Sequence, residues 1–107
     1  MDESRYQHLT DTAFRRIEDA LEDVDVDAVD CERAGDVVTL LFRGGARSIV
    51  NTQRPTRQIW LAANARAWHF SYDEASGAWL DDKGTGAELF STVSRIIKEA
   101  VGLDLTV

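Results

Sequence analysis

The chain contains one cysteine, one proline and no long apolar segment, and each scarcity excludes a class of protein. Cys31 alone cannot form an intramolecular disulfide, and it cannot hold an iron–sulfur cluster that needs several cysteine ligands from one chain. No run of about eighteen apolar residues is present, so no membrane-spanning helix is expected. The first residues are acidic and lack the apolar segment of a signal peptide, so we expect a cytoplasmic protein. The length of 107 residues predicts one domain, residues 1–107.

Sequence motifs for conventional catalysis are also missing. There is no glycine-rich phosphate loop, no nucleophile elbow and no histidine pair spaced for a metal. His8 and His69 stand alone, and both are expected at the surface. The net charge of −7 argues against nucleic acids and anionic membranes as partners, because proteins that bind them neutralise negative charge. These observations predict that the protein is not an enzyme.

A dense acidic stretch runs from residue 18 to residue 32. It has no lysine or arginine and contains eight acids, namely Glu18, Asp19, Glu22, Asp23, Asp25, Asp27, Asp30 and Glu32. On a helix, the pairs Glu18–Glu22 and Asp19–Asp23 would each cost about 0.2–0.5 kcal/mol through like-charge repulsion. By contrast, residues 37–72 include no acid and five arginines, so a bipolar surface is predicted. Repulsive charge does not stabilise a fold, and this favours a role towards a cation or a basic protein.

Three interpretations of the acidic stretch remain open. It is a solvated face that maintains solubility, a site for a hard cation such as ferrous iron, or a docking surface for a basic protein. Asp23, Asp25 and Asp27 have the spacing of the first EF-hand ligands, but Ala28 and Ala34 replace the glycine and glutamate that such a loop needs. No histidine lies in the stretch, so a tight zinc or di-iron site is not indicated. Metal binding there is expected to be weak, multiple and largely hydrated.

Two segments have the periodicity of amphipathic helices. In the first, apolar residues recur at spacings of three and four, and the capping box Ser4-x-x-Gln7 predicts a helix from about Asp2–Ser4 to about Asp23. In the second, the capping box Thr85-x-x-Glu88 predicts the start of a helix that Gly102 ends.

Short segments rich in branched and aromatic residues lie between these helices and predict strands. Their connections are too short for crossover helices, so the sheet should be largely antiparallel. We therefore predict an α+β fold, a two-layer sandwich with two terminal helices on one face of a five- or six-stranded sheet and the other face open. The predicted strands are Val29–Arg33, Val37–Phe42, Ser48–Thr52, Gln58–Ala63, Ala67–Tyr72 and Ala78–Leu80.

Trp60 is the most informative single residue. Strand alternation places Ile59 and Leu61 towards the helices and Trp60 on the open face. There Trp60 either covers the sheet or acts as a binding anchor, since exposed tryptophans are enriched at interface hot spots. The amides of Asn51, Gln53 and Gln58 are expected to line the same surface.

These residues form a motif of known type. Residues 51–62 read NTQRPTRQIWLA, and they are similar to the pattern N-x-Q-x-P-x-x-Q-[IV]-W-L-[AS] of the frataxin family. The acidic first helix and first strand, and a closing helix after a strand ending near Trp79, extend the resemblance over the whole length. The chain is thereby identified as a member of that family in its bacterial CyaY type.

The resemblance implies a helix–sheet–helix sandwich and a role in iron–sulfur cluster assembly. It implies that the eight acids bind Fe2+ and Fe3+ weakly, and that Asn51, Gln53, Gln58 and Trp60 contact the cysteine desulfurase and the cluster scaffold protein. The protein is expected to be a monomer that can oligomerise with iron. Two alternatives stay open: an interaction module whose iron binding is incidental, and an enzyme that oxidises ferrous iron.

Overall fold

The computed structural model describes residues 1–107. Along the chain, one helix precedes a group of six strands and a second helix follows it. The strands form one antiparallel sheet in the sequential order β1 to β6. This confirms the predicted α+β sandwich, with six strands. No helix is long and apolar enough to cross a membrane. The elements are α1 (Glu3–Ala20), β1 (Val29–Ala34), β2 (Val37–Phe42), β3 (Arg47–Gln53), a 3-10 turn (Arg54–Thr56), β4 (Gln58–Ala63), β5 (Arg66–Asp73), β6 (Ala78–Asp81) and α2 (Leu89–Val101).

The core lies between the helices and one face of the sheet. Side chains alternate between faces along a strand, so every second residue of the central strands points at the helices. The innermost apolar side chains, all at most 1% exposed, are Tyr6, Phe14 and Ile17 of α1, Val38 and Leu40 of β2, Val50 of β3, Ile59 and Leu61 of β4, Phe70 of β5, and Leu89, Val93 and Ile97 of α2. The opposite face has no helix over it, as predicted.

Tight turns hold the register of the central strands. Gly44 and Gly45 both have positive φ, 93° and 97°, which glycine adopts without steric cost. Asn64 and Ala65 form the next hairpin with φ of 52° and 61°. Positive φ at both central residues is the geometry of the turn that best matches strand twist. The Asn64-Ala65 turn sets the pairing of Trp60 with His69 across β4 and β5. The 3-10 turn at Arg54–Thr56 connects β3 to β4, where Asn51 pairs with Trp60.

The first helix differs from its prediction at both ends. Asp2, not Ser4, is the N-cap, and its carboxylate accepts a hydrogen bond from the Arg5 backbone N–H at 2.7 Å. The helix ends at Ala20 instead of near Asp23. No basic side chain lies in the last turn, and acids there oppose the helix dipole. Glu22 and Asp23 therefore lie in the following turn, and the expected repulsion at helical i,i+4 spacing does not apply to them.

The second helix begins three residues later than the predicted capping box. Glu88 is the N-cap, and its carboxylate accepts hydrogen bonds from the backbone N–H groups of Phe90 and Ser91. Thr85 is not the cap, because its hydroxyl donates to Asp81 at 2.7 Å and accepts from the Ala87 N–H. The segment from Lys83 to Ala87 is therefore a loop that lies beside β6.

Candidate functional site: an acidic ridge joined to an open sheet face

The eight acids of the predicted metal site lie along one edge of the molecule and are called the acidic ridge below. Glu18 and Asp19 are in the last turn of α1, the next four are in the loop that follows, and Asp30 and Glu32 are on the edge strand β1. Asp30 pairs in register with Leu41, and Glu32 with Thr39. Cross-strand partners share a face, so these two acids lie on the open face of the sheet. The ridge thus turns from the helix layer onto the face that carries Trp60.

One ridge acid is held by an arginine of the sheet. Arg33 on β1 points towards α1, where its guanidinium donates to Glu18 at 3.3 Å and to Asp11 at 2.7 Å. Arg33 also lies over the Phe14 ring, with its Cζ atom 5.2 Å from the ring centroid. The prediction of a wholly unpaired acidic stretch is therefore wrong for Glu18. It holds in part because the other seven ridge acids make no ion pair.

The Arg33 contact also changes the titration of Asp11. Hydrogen bonding from Arg33 is the largest cause that lowers the pKa of Asp11 below its ordinary value of 3.8. The folded state then holds this carboxylate ionised more strongly than the unfolded state does. Its stabilising contribution is present above pH 3.8 and is lost as the pH falls through the lower folded pKa.

Replacing Arg33 with glutamine is therefore expected to raise the folded pKa of Asp11 towards its ordinary value. Carbon-13 NMR titration of the carboxyl groups measures this directly. Arg15→Gln is the matched control, because Arg15 contacts the same carboxylate at 3.0 Å but is a smaller cause of the shift. A larger effect from Arg15→Gln than from Arg33→Gln would contradict the assignment.

Of the other seven ridge acids, Asp30 is half-buried and six are exposed, and the seven do not converge. Asp25 accepts a hydrogen bond from the Asp27 backbone N–H at 2.9 Å, which shapes the loop. No group of three or more histidine, cysteine, aspartate or glutamate side chains is placed to hold one metal ion. A cleft of about 370 Å³ lies between the end of α1 and β1, and it is lined by Glu18, Asp19, Glu22, Asp30, Cys31 and apolar neighbours. Its carboxylates offer hard oxygen ligands singly or in pairs.

Cys31 lies half-buried in this acidic cleft. Burial, with smaller contributions from Glu18 and Asp30, raises the pKa of its thiol to about 11, against an ordinary value of 9.0. The thiolate is the reactive form, so iodoacetamide at pH 8 should modify the native protein about 100-fold more slowly than the urea-unfolded chain. Mass spectrometry follows the reaction. Asp30→Asn should accelerate the native reaction by removing a nearby charge, whereas equal native and unfolded rates would show that the thiol is not shielded.

On the open face, Trp60 is half-buried and stacks on His69. The two ring centroids are 4.1 Å apart and the planes differ by 17°. Asn51 is the cross-strand partner of Trp60 on the other side, and its Nδ2 atom donates to the Thr52 carbonyl at 3.0 Å. This confirms the predicted face of Trp60. Asn51 and Gln53 are half-buried on the same surface, as expected.

Gln58 was expected to line this surface with its amide, and the structure places that amide below the surface. It is 8% exposed, and its side chain is fully engaged with neighbours. Its Oε1 atom accepts from the Trp60 indole N–H at 2.9 Å, and its Nε2 atom donates to Asp82 at 3.0 Å and Ser71 at 3.1 Å. The Tyr6 hydroxyl donates to the Gln58 backbone carbonyl and so ties this strand end to α1. Gln58 therefore holds the indole of Trp60 in place on this surface.

His69 belongs to the same surface, although its sequence position predicted only that it is exposed. Its Nδ1 atom lies 3.8 Å from Asp82, the acid that also accepts from Gln58. The half-buried indole of Trp60 is thus held by contacts with Gln58 and His69, and both of these residues contact Asp82. The position of His69 could have been predicted from strand register, because pairing β4 with β5 places His69 directly opposite Trp60 on the same face. Asp82 lies beyond β6 and carries no such signal.

Comparisons of the sequence and of the structure with known proteins all find members of one family. A model of the frataxin-like domain matches residues 1–103. The iron–sulfur cluster assembly protein CyaY of Pseudomonas aeruginosa is 41% identical over 98% of this chain and 95% of its own length. Frataxin from Psychromonas ingrahamii superposes with a TM-score of 0.89 at 30% identity, over 98% and 96% of the two chains. Trimeric frataxin from Saccharomyces cerevisiae, solved with ferrous iron, shares the fold with a TM-score of 0.75 at 24% identity, over 89% and 87% of the two chains.

Proposed function

The chain belongs to the frataxin-like family, and we propose that it is an iron-binding regulator of iron–sulfur cluster assembly. In this proposal the acidic ridge binds Fe2+ and Fe3+ weakly, and the ridge and open sheet face together dock on the cysteine desulfurase and the scaffold protein. Relatives that match nearly the whole chain bear the name iron–sulfur cluster assembly protein. The iron is the cargo of the protein, held by carboxylate oxygens and water.

One observation carries the proposal: seven ridge carboxylates without an ion pair continue onto the face that exposes Trp60. Glu32 on β1 and Trp60 on β4 are three strands apart on one face, or roughly 15 Å at the usual strand spacing. That distance lies within one ordinary protein interface. A partner with a basic patch and an adjacent apolar contact is complementary to both parts at once.

The second candidate is a pure interaction module with incidental iron binding. It is favoured by the arrangement of the ridge, where no three ligands converge on one ion. Charge would then serve mainly to raise the association rate with a basic partner, an effect that salt screens. The two candidates differ in whether iron changes the complex with the desulfurase.

An anaerobic titration with ferrous iron, followed by backbone amide NMR, tests the proposal and is then repeated with the desulfurase added. We expect paramagnetic broadening that spreads from residues 18–32, with the amides of α2 unaffected. Added desulfurase should perturb both the ridge and the amides around Trp60, and iron should change its affinity. Broadening elsewhere would overturn the iron assignment. Salt-dependent docking that neither iron nor a chelator changes would favour the pure interaction module.

A further inference from the structure

Four cations without an acidic partner gather at one end of the sheet. Seven of the twelve basic side chains make ion pairs. The Arg16 guanidinium lies over the Phe90 ring and donates a hydrogen bond to the Val107 backbone carbonyl. The remaining four lie in or next to the β2–β3, β4–β5 and β6–α2 connections, and they are Arg43, Arg47, Arg66 and Lys83. Unpaired charge kept on one surface of a protein with net charge −7 points to an anionic ligand.

Two of these cations line a cleft that is separate from the ridge and from Trp60. The cleft has a volume of about 660 Å³ and lies between the start of β5, the β6–α2 loop and α2. Its cations are Arg66, Lys83 and Arg95, and Arg95 also faces Glu99 at 3.8 Å in an exposed pair. Its single acid is Asp81, which is buried and accepts from the Thr85 hydroxyl. The lining is therefore net positive, and the volume falls in the range of small-molecule sites.

The loop that closes this cleft offers backbone donors. Lys83-Gly84-Thr85-Gly86 has left-handed conformations at both glycines, with φ of 73° and 81°. The backbone N–H groups of Thr85 and Gly86 have no acceptor within the protein. Consecutive free N–H groups in turns with left-handed residues form concavities that bind anions. Both residues line the cleft together with the three cations.

We propose that this cleft binds a phosphate-bearing small molecule. Its phosphate oxygens accept from the guanidinium groups of Arg66 and Arg95, from the Lys83 ammonium and from the N–H groups of Thr85 and Gly86. A phosphate has three strong acceptor oxygens and multiple charge, which matches several cations and donors better than one carboxylate does. Arg66 lies over the Trp68 ring at 4.7 Å, and this contact orients its guanidinium. The donors come from three separate segments, so no phosphate-loop motif appears in the sequence.

Titration of the metal-free protein with inorganic pyrophosphate, followed by amide and arginine Nε NMR signals, tests the proposal. We expect saturable shifts at Thr85, Gly86, Arg66 and Arg95. Arg66→Gln and Lys83→Gln should each weaken binding about tenfold, the usual effect of losing a charge-assisted hydrogen bond. Arg43→Gln is the control, because it removes the same charge outside the cleft and should change affinity by no more than about twofold. Thermal unfolding of each variant checks that the fold is retained.

Three results would overturn the proposal. Equal weakening by Arg43→Gln would show a diffuse charge effect instead of a site. Citrate binding as tightly as pyrophosphate at equal ionic strength would show that the cleft does not select phosphate. An acidic peptide that binds the cleft while pyrophosphate does not would make it a protein-docking surface. Neutralising ridge acids should leave pyrophosphate binding intact, so this test is independent of the proposed iron function.

Discussion

Trp60→Ala is expected to weaken binding to the proposed assembly partner by about 2–4 kcal/mol, the range of aromatic hot spots at interfaces. The indole and the His69 ring form a flat, preorganised contact on the open face. Truncation removes that contact and leaves the Oε1 atom of the buried Gln58 side chain without the hydrogen bond from the indole N–H. We therefore expect a loss of stability of about 1–2 kcal/mol, well below the 3–5 kcal/mol typical of a core tryptophan.

Two further variants distinguish a role of Trp60 in partner binding from a role in the stability of the fold. Trp60→Phe keeps an aromatic ring against His69 but removes the N–H donor, so it should retain more partner affinity than Trp60→Ala. Leu41→Ala truncates another exposed apolar side chain on the same face, opposite the ridge acid Asp30, and should weaken partner binding less than Trp60→Ala does. Calorimetric titration gives the affinities and urea unfolding gives the stabilities. If Trp60→Ala unfolds the protein while Leu41→Ala impairs binding, Trp60 serves the fold and is not the main partner contact on the open face.

The fold was predictable because its signals are local and repeated. Alternation along Gln58–Ala63 fixed the faces of Ile59, Trp60 and Leu61, and all three were confirmed. Connections too short for crossover helices predicted hairpins, and hairpins in sequence order leave only an antiparallel sheet. The helix ends were less predictable, since Asp2 and Glu88 compete with nearby Ser4 and Thr85 for the same capping role.

Parts of the candidate site depend on contacts between distant segments, and these have no local signal. Gln58 has the strand parity of an exposed residue, yet Asp82 from beyond β6 folds over it and engages its amide. Arg33 follows the acidic stretch in sequence, but it crosses to α1 and neutralises Glu18. Asp30 and Glu32 alternate with the core-facing Val29 and Cys31, and only the pairing of β1 with β2 shows that these two acids share a face with Trp60. Tertiary pairing therefore decides which charges remain available.

Neutralising three ridge acids together, Asp19→Asn, Glu22→Gln and Asp23→Asn, is expected to weaken both iron and desulfurase binding. None of the three makes an ion pair or caps a helix in the structure, so their charge contributes no identified stabilising contact. Removing clustered like charge should leave the free energy of unfolding equal or raised by a few tenths of a kcal/mol. The loss of three negative charges should also weaken electrostatic steering, so that the association rate with the desulfurase at low salt falls by about tenfold.

A variant with the same loss of three charges elsewhere provides the control. Glu74→Gln, Glu99→Gln and Asp104→Asn remove exposed acids that pair with Arg5, Arg95 and Lys98, away from the ridge. Stopped-flow association at several salt concentrations and ferrous iron titration compare the two triple variants. If local charge at the ridge recruits iron and partner, only the ridge variant loses binding. If both lose it equally, overall net charge is responsible, and if the ridge variant is clearly destabilised with binding unchanged, those acids serve the fold.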